Sequence, residues 1–233
     1  MTTMISSCSS CIDNFLGGGL SPSTVSLIYG EAETGKTTLA MQCAVSCALK
    51  GYRVLFVDCD NTFSERRLSQ VAAENFNHVA ELIILMKPSS FIEQAIVVDH
   101  LGDYVTPKFG LVVFDTVTSL YRAHVASNPE KAFSLNRELN RQLAVIAQTS
   151  KVLKLPVLLI SQVSSIFDEG FTSVAPVANR VVKFWADNII AIKLTENSQV
   201  VKAVVEKAAN LSNEKTCYLF IDITGIHDYP FHE

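Results

Sequence analysis

The tightest constraint on this chain is one octet, Gly30-Glu31-Ala32-Glu33-Thr34-Gly35-Lys36-Thr37, set between a β-branched apolar run and a long Ala-rich one. At average residue frequencies the pattern GxxxxGK[S/T] arises by chance in well under about 1% of chains of this length. Its chemistry accounts for its spacing. Gly30 and Gly35 allow backbone angles that a side chain forbids. The N–H groups between them can then turn inward and, with the amino end of the next helix, bind phosphate oxygens. Lys36 reaches the outer phosphates and Thr37 offers a hydroxyl to Mg²⁺. The octet and Thr38 are therefore expected to bind ATP with magnesium.

The surrounding pattern is α/β. Short runs rich in β-branched and aromatic residues, Val25–Tyr29, Arg53–Asp58, Leu82–Met86, Leu111–Asp115 and Pro156–Ser161, read as strands. Helices are expected over Lys36–Leu49, Ser64–Glu74 (a capping box of Thr62 with Glu65), Ser90–Leu101 (Ser90 with Glu93) and Leu135–Leu153. In the last, Leu135, Leu139, Leu143, Ile146 and Leu153 form one apolar face for packing. The alternation predicts a mostly parallel sheet covered on both sides by helices. Beyond Val174 three further strands, Asn188–Leu194, Val200–Glu206 and Cys217–Asp222, follow with no long helix between them, so a C-terminal β-meander extends the sheet. With 233 residues, 48% of them hydrophobic, the expectation is a single core domain over 1–233.

Three strands end in or near a polar residue: Asp58, Asp115 and Ser161. Ligands bind at such carboxyl ends. Asp115, closing the run Leu111-Val112-Val113-Phe114, is expected to hold the magnesium. Hydrolysis also needs a carboxylate to orient or deprotonate water. Asp58 and Asp60 are the candidates, and alternation puts them on one side of an extended chain.

A net charge of -4 argues against a wholly basic nucleic-acid binder but leaves room for a local groove. The longest apolar run, residues 110–116, is too short to span a bilayer, and residues 1–10 lack a basic start and an apolar core. A cytoplasmic protein with reduced thiols is expected. Cys8 and Cys11 form a CxxC, half a zinc site or a redox pair. With no second pair at ligand spacing, they read as two small residues of a short segment. Cys43 and Cys47 read as core.

Taken in order, these elements resemble the RecA/RadA recombinase superfamily over nearly the whole chain, most closely its short archaeal paralogues. Ile12-Asp13-Asn14-Phe15-Leu16-Gly17-Gly18-Gly19 looks like the family's LDxLLGGG. Val57-Asp58-Cys59-Asp60-Asn61-Thr62-Phe63 looks like DTEGTF. Asp115-Thr116-Val117-Thr118-Ser119-Leu120-Tyr121-Arg122 looks like DSxTxxYR, and Leu159-Ile160-Ser161-Gln162-Val163 like VxxNQV. The stretch Leu135–Leu143 is close to the LxRQL of the short paralogues. The resemblance implies a RecA-type core and a set of roles. Asp60 falls at the catalytic glutamate, one methylene short, which implies weak hydrolysis. Arg67 matches the arginine against the adenine. Gln162 matches the glutamine that senses the γ-phosphate, and Ser161 replaces the neighbouring Asn. Lys36, Asp60 and Gln162 are thus the catalytic candidates.

The same resemblance places DNA on two loops, here Ala123–Ser134 and Ser164–Val177. The candidates are Arg122, Lys131 and Arg137 around the first. For the second they are Phe167 and Phe171, which could stack on bases, with Arg180 and Lys183 just beyond. The second loop holds Asp168 and Glu169 and neither Lys nor Arg, so DNA binding, single strands favoured, is expected to be modest. About two dozen residues precede the first core strand, leaving no helix-hairpin-helix domain or docking linker. Long filaments are not expected, whereas a homodimer is allowed. The resemblance implies an accessory in DNA repair and recombination, acting beside a RadA-type recombinase or a recombination nuclease. The rival readings are a non-catalytic nucleotide-gated scaffold and a RecA-fold signalling ATPase that does not bind DNA. Glu206 and Lys207 stay open, as exposed strand residues or as residues facing a neighbour's nucleotide.

Overall fold

The computed structural model describes residues 4–168, 171–176 and 178–229, and for 164–168, 171–176 and 179 the backbone alone. A ten-stranded sheet runs through it, its strands numbered β1–β10 in chain order: nine lie side by side as β10-β9-β8-β7-β1-β5-β4-β2-β3, and β6 pairs with β5 off this path. The expected strands appear as β1 (Val25–Gly30), β2 (Arg53–Asp58), β3 (Ile83–Met86), β4 (Phe109–Asp115) and β5 (Val157–Asp168), and their mutual pairings are parallel. β7 (Asn188–Leu194) lies parallel to the other edge of β1. From there β8 (Val200–Lys207), β9 (Lys215–Ile221) and β10 (Ile226–Asp228) continue antiparallel, the anticipated meander with one extra strand. β5 runs past Ser161 and turns back as β6 (Phe171–Pro176), so a β-hairpin occupies the segment expected as the second loop.

Alternation along β1 sorts its side chains onto two cores. Val25, Leu27 and Tyr29 pack with Leu139, Leu143 and Ile146 of α8 (Ala132–Leu153). Ile28 packs with Leu39, Met41 and Cys43 of α2 (Lys36–Leu49) on the opposite face. α2 is buried nearly all round, which explains its Ala-rich composition, and Cys43 and Cys47 lie in the core as expected. Also on the α2 side are α1 (Ser10–Phe15), α3 (Glu65–Ala72) and α4 (Phe76–Leu82). The other face carries α5 (Phe91–Asp99), α6 (Leu101–Tyr104), α7 (Ser119–Ser127) and α9 (Asn179–Trp185). Among the described residues no helix is long and apolar enough to cross a membrane.

Several local expectations need correction. The cap of α3 is Ser64, whose Oγ accepts from the Arg67 N–H, not Thr62, whose N–H is taken by Asp58. The helix expected to reach Glu74 stops at Ala72. A 3₁₀ turn and then α4 follow, with Val79 filling a small core under α3, so Leu82 ends a helix rather than starting β3. Ser90 does cap α5, accepting from the Glu93 N–H, and the Glu93 carboxylate reaches back to Ser89. The segment Ala123–Ser134 is helical rather than a loop, because Leu120, Tyr121 and Val125 anchor α7 on the core. The thiols are not all free. Cys11 of α1 is bridged to Cys217 of β9, with Cα atoms 6.5 Å apart, leaving Cys8, Cys43, Cys47 and Cys59 unpaired. Spacing cannot report a partner 206 residues away.

Leu139 is fully buried at the centre of the α8 stripe. Leu139→Ala is expected to cost about 2–5 kcal/mol in chemical denaturation. The exposed Val152→Ala on the same helix should change stability by less than about 0.5 kcal/mol.

Candidate nucleotide site

The carboxyl ends of β1, β2 and β4 lie together, level with Gln162 in the middle of β5. Register sets Gly30 beside Gln162 on one side and Ile192 on the other, and Asp58 beside Asp115. A Cβ at residue 30 would lie 2.2 Å from the Ile192 carbonyl oxygen, which restricts the position to glycine. Gly35, at φ +80°, is the N-cap of α2 and turns the chain into the helix. Between these two turns the loop bends around a cavity of about 360 Å³ lined by Gly35, Lys36, Thr37, Thr38, Arg67 and Ile221 among others.

Lys36 is buried, and its Nζ donates to the Glu31 carbonyl and to Thr34 Oγ1. Burial lowers its pKa, while Asp115, Asp60 and Glu31 oppose the fall. Asp115 is 1% exposed, and neither of its carboxylate oxygens has a hydrogen-bond partner. Burial pushes its pKa up to about 6. Asp60 and Asp58 add to the rise, and the nearby Thr37 hydroxyl and Lys36 oppose it. Two unpartnered buried carboxylate oxygens with a hydroxyl alongside fit a hard divalent cation, which takes oxygen ligands. The structure thus brings Thr37 and Asp115 together.

The two candidate bases part company. Asp58 is buried and accepts from the N–H groups of Thr62 and Phe63, with Lys87 at 3.6 Å, so it closes a turn and is not available as a base. Asp60 is half-buried. Its Oδ2 accepts from Gln162 Nε2 at 3.1 Å and from Thr116 Oγ1 at 3.3 Å. The catalytic candidates Asp60 and Gln162 therefore touch. Thr116 was missed, although it directly follows Asp115 in a motif that had been singled out. The Asp115–Thr116 peptide is cis. Arg67 sits at the same cavity, its guanidinium donating to Thr38 Oγ1 and to the Asp222 and Ile223 carbonyls of the β9–β10 turn. That turn had no local signal, since its role depends on contacts some 155 residues away in sequence.

The nucleic-acid candidates fare unevenly. Arg122, Lys131, Arg137 and Arg180 are exposed. Lys183 is engaged, donating to Glu206 Oε2 and to the Tyr29 hydroxyl and lying 4.7 Å from the Tyr29 ring centre. Glu206 is tied up by the same pair, and Lys207 donates to the Ala186 carbonyl, so neither is a free strand residue. The side chains of Phe167 and Phe171 lie outside the described residues.

A glycine-bounded loop after β1, a buried acid two strands away and a polar pair made by one residue just past β2 and one within β5 are the arrangement of a RecA-type core. The Rad51 family model matches residues 1–229, and the chain belongs to that family. Within it the similarity is to RadB. The chain is 33% identical over 228 residues to the DNA repair and recombination protein RadB of Thermococcus kodakarensis, covering 97% of this chain and 99% of that one. Identity is 30% over 205 residues to RadB of Methanothermobacter thermautotrophicus, with 86% of each chain covered. The crystal structure of the RadB recombinase superposes with a TM-score of 0.82 at 31% identity, over 97% of this chain and all of that one.

The buried acid gives a pH dependence with a definite sign. Asp115 binds its proton more tightly folded, at about 6, than unfolded, near 3.8. The ligand-free fold is therefore penalised above pH 6, and the penalty fades as pH falls towards 4. Asp115→Asn is expected to be more stable than wild type at pH 7 by on the order of 2–3 kcal/mol. The difference should close near pH 4 in denaturation measured without magnesium or nucleotide.

Proposed function

We propose that this chain is a DNA repair and recombination protein that binds ATP and Mg²⁺ at Gly30–Thr38 and hydrolyses ATP slowly in a DNA-linked way. It would act as an accessory or regulator beside a RadA-type recombinase or a recombination nuclease. The observation that carries the reading is Asp115, buried with both oxygens unpartnered beside Thr37 and Lys36. Such an arrangement is costly in an idle core and is relieved by a cation. Mg²⁺, when bound, would be held by Thr37 and Asp115 and would neutralise charge on the phosphates. The loop's N–H groups bind the phosphate oxygens, and Lys36 can turn from Glu31 and Thr34 to the outer phosphates. Asp60, anchored through Oδ2 by Gln162 and Thr116, orients water or takes its proton at the other oxygen. Its short side chain keeps turnover low, since a misplacement of about 1 Å costs roughly a hundredfold. Gln162, which bonds Asp60 and begins the exit into the β5–β6 hairpin, links the nucleotide to the segment expected to meet DNA.

DNA contact would rest on Arg122, Lys131, Arg137 and Arg180, with Phe167 and Phe171 as stacking candidates. The neutralisation of Lys183 by Glu206 removes one cation and supports modest affinity. It also favours the second reading, a nucleotide-gated scaffold without DNA contact. Phosphate release titrated with single- and double-stranded DNA at two salt concentrations separates the two. Stimulation that weakens with salt supports the first reading, and no response to either DNA supports the second. Lys36→Ala is expected to abolish ATP binding or turnover, and unchanged nucleotide affinity would refute the site. Asp60→Glu is expected to raise turnover by about tenfold or more. No gain would show that the missing methylene is not what limits the rate.

A further inference from the structure

The CxxC at Cys8 and Cys11 has so far no part in the nucleotide chemistry, yet Cys11 is bridged to Cys217. The bridge joins two pieces that a second set of contacts also joins. Cys11 lies in the first turn of α1. Asp228 of β10 accepts from Ser9 Oγ and from the N–H groups of Ser10 and Cys11. α1 is thereby fastened to both strands of the β9–β10 hairpin. That hairpin reaches the nucleotide site at three points. Ile221 and Ile226 stand 2.9 and 2.8 Å from where a Cβ at Gly35 would be. The Asp222 and Ile223 carbonyls hold the Arg67 guanidinium. Ile226 exchanges hydrogen bonds at both its N–H and its carbonyl with the buried Gln42 of α2. Cys11 and Cys217 are both half-buried, so reagents can reach them.

We propose that Cys11 and Cys217 form a redox modification site whose state sets how firmly the β9–β10 hairpin is held against the nucleotide pocket. The bridged form binds ATP more tightly than the dithiol. This deepens the nucleotide reading given above and rests on it. The bridge forms by exchange with a low-molecular-weight disulfide. One cysteine thiolate attacks it, making a mixed disulfide and releasing one thiolate. The other cysteine attacks the protein-side sulfur of that mixed disulfide, making the Cys11–Cys217 bond and releasing the second thiolate. Two electrons pass to the reagent, and the two protons end on its two thiols. An excess of dithiol runs the exchange backwards. In the reduced form the hairpin keeps its pairing with β8 and its Asp228, Gln42 and Arg67 contacts but loses the covalent tie to α1. It then spends more time away from Arg67 and Gly35, and apparent affinity falls by the fraction lost.

The test uses the full chain equilibrated with oxidised or reduced glutathione, alkylated, and checked by mass for thiols at Cys11 and Cys217. Two quantities are read in each state. These are the affinity for a fluorescent ATP analogue with Mg²⁺, and hydrogen exchange of amides 219–228 without nucleotide. Expected are slower exchange and about three- to tenfold tighter binding in the bridged form. Cys11→Ser and Cys217→Ser should sit at the reduced value in both buffers. Cys8→Ser, which removes the other CxxC thiol, should keep the response. Alkylation of both cysteines after oxidation would overturn the proposal, as would a verified bridge that leaves affinity unchanged. Exchange that follows the bridge while neither form binds nucleotide would instead refute the nucleotide reading, and the proposal with it.

Discussion

The close approach of Gly30 to the Ile192 carbonyl is the contact on which the rest of the molecule turns. β1 is a central strand, paired in parallel with β5 on one edge and β7 on the other. A strand held on both edges cannot shift its last residue to make room for a side chain. The phosphate loop therefore leaves the sheet at one fixed point, and every other functional group is placed relative to it. β5 delivers Gln162 beside Gly30, and β4, one strand further out, delivers Asp115. β2 delivers the turn that carries Asp60. Had β7 paired elsewhere, the loop would have gained freedom and lost its alignment with the buried acid.

Charge governs the site in the same way. Asp58, Asp60 and Asp115 crowd the ends of neighbouring strands, and each is dealt with differently. Asp58 is neutralised by two backbone N–H groups and Lys87. Asp60 is held by two neutral donors on one oxygen. Asp115 is buried, and that burial raises its pKa, with the neighbouring Thr37 hydroxyl opposing the rise. The three environments differ, and composition or spacing alone could not have sorted them.

What was legible in the sequence was what depends on near neighbours. The glycine-bounded loop, the β-branched strands, the Asp115 strand end and the α8 stripe are all written within a few residues, and they came through. The Ser90 cap is local too, and the structure has it. At α3, Thr62 and Ser64 both offer hydroxyls, and only the demand of Asp58 for the Thr62 N–H decides between them. The segment Ala123–Ser134 is a loop by the family resemblance, and its helical form depends on Leu120, Tyr121 and Val125 meeting a core that lies far off in sequence. The Lys183–Glu206 pair, the Arg67–hairpin contacts and the Cys11–Cys217 bridge join residues 23 to 206 positions apart, and no local pattern encodes such partners.

The polar contacts of the site bear on how a triphosphate and a metal would enter it together. Lys36 donates to the loop's own oxygens, and Asp60 accepts from Gln162. On the proposed reading a phosphate chain would compete with these oxygens for Lys36 and would bring several negative charges to a site already holding three acids. A divalent cation held by Thr37 and Asp115 would offset that charge, so the buried carboxylate that costs the fold stability would be the group that binds the metal. On the same reading Gln162 would exchange Asp60 for the outer phosphate, and that release would be a movement able to carry nucleotide state into β5 and β6.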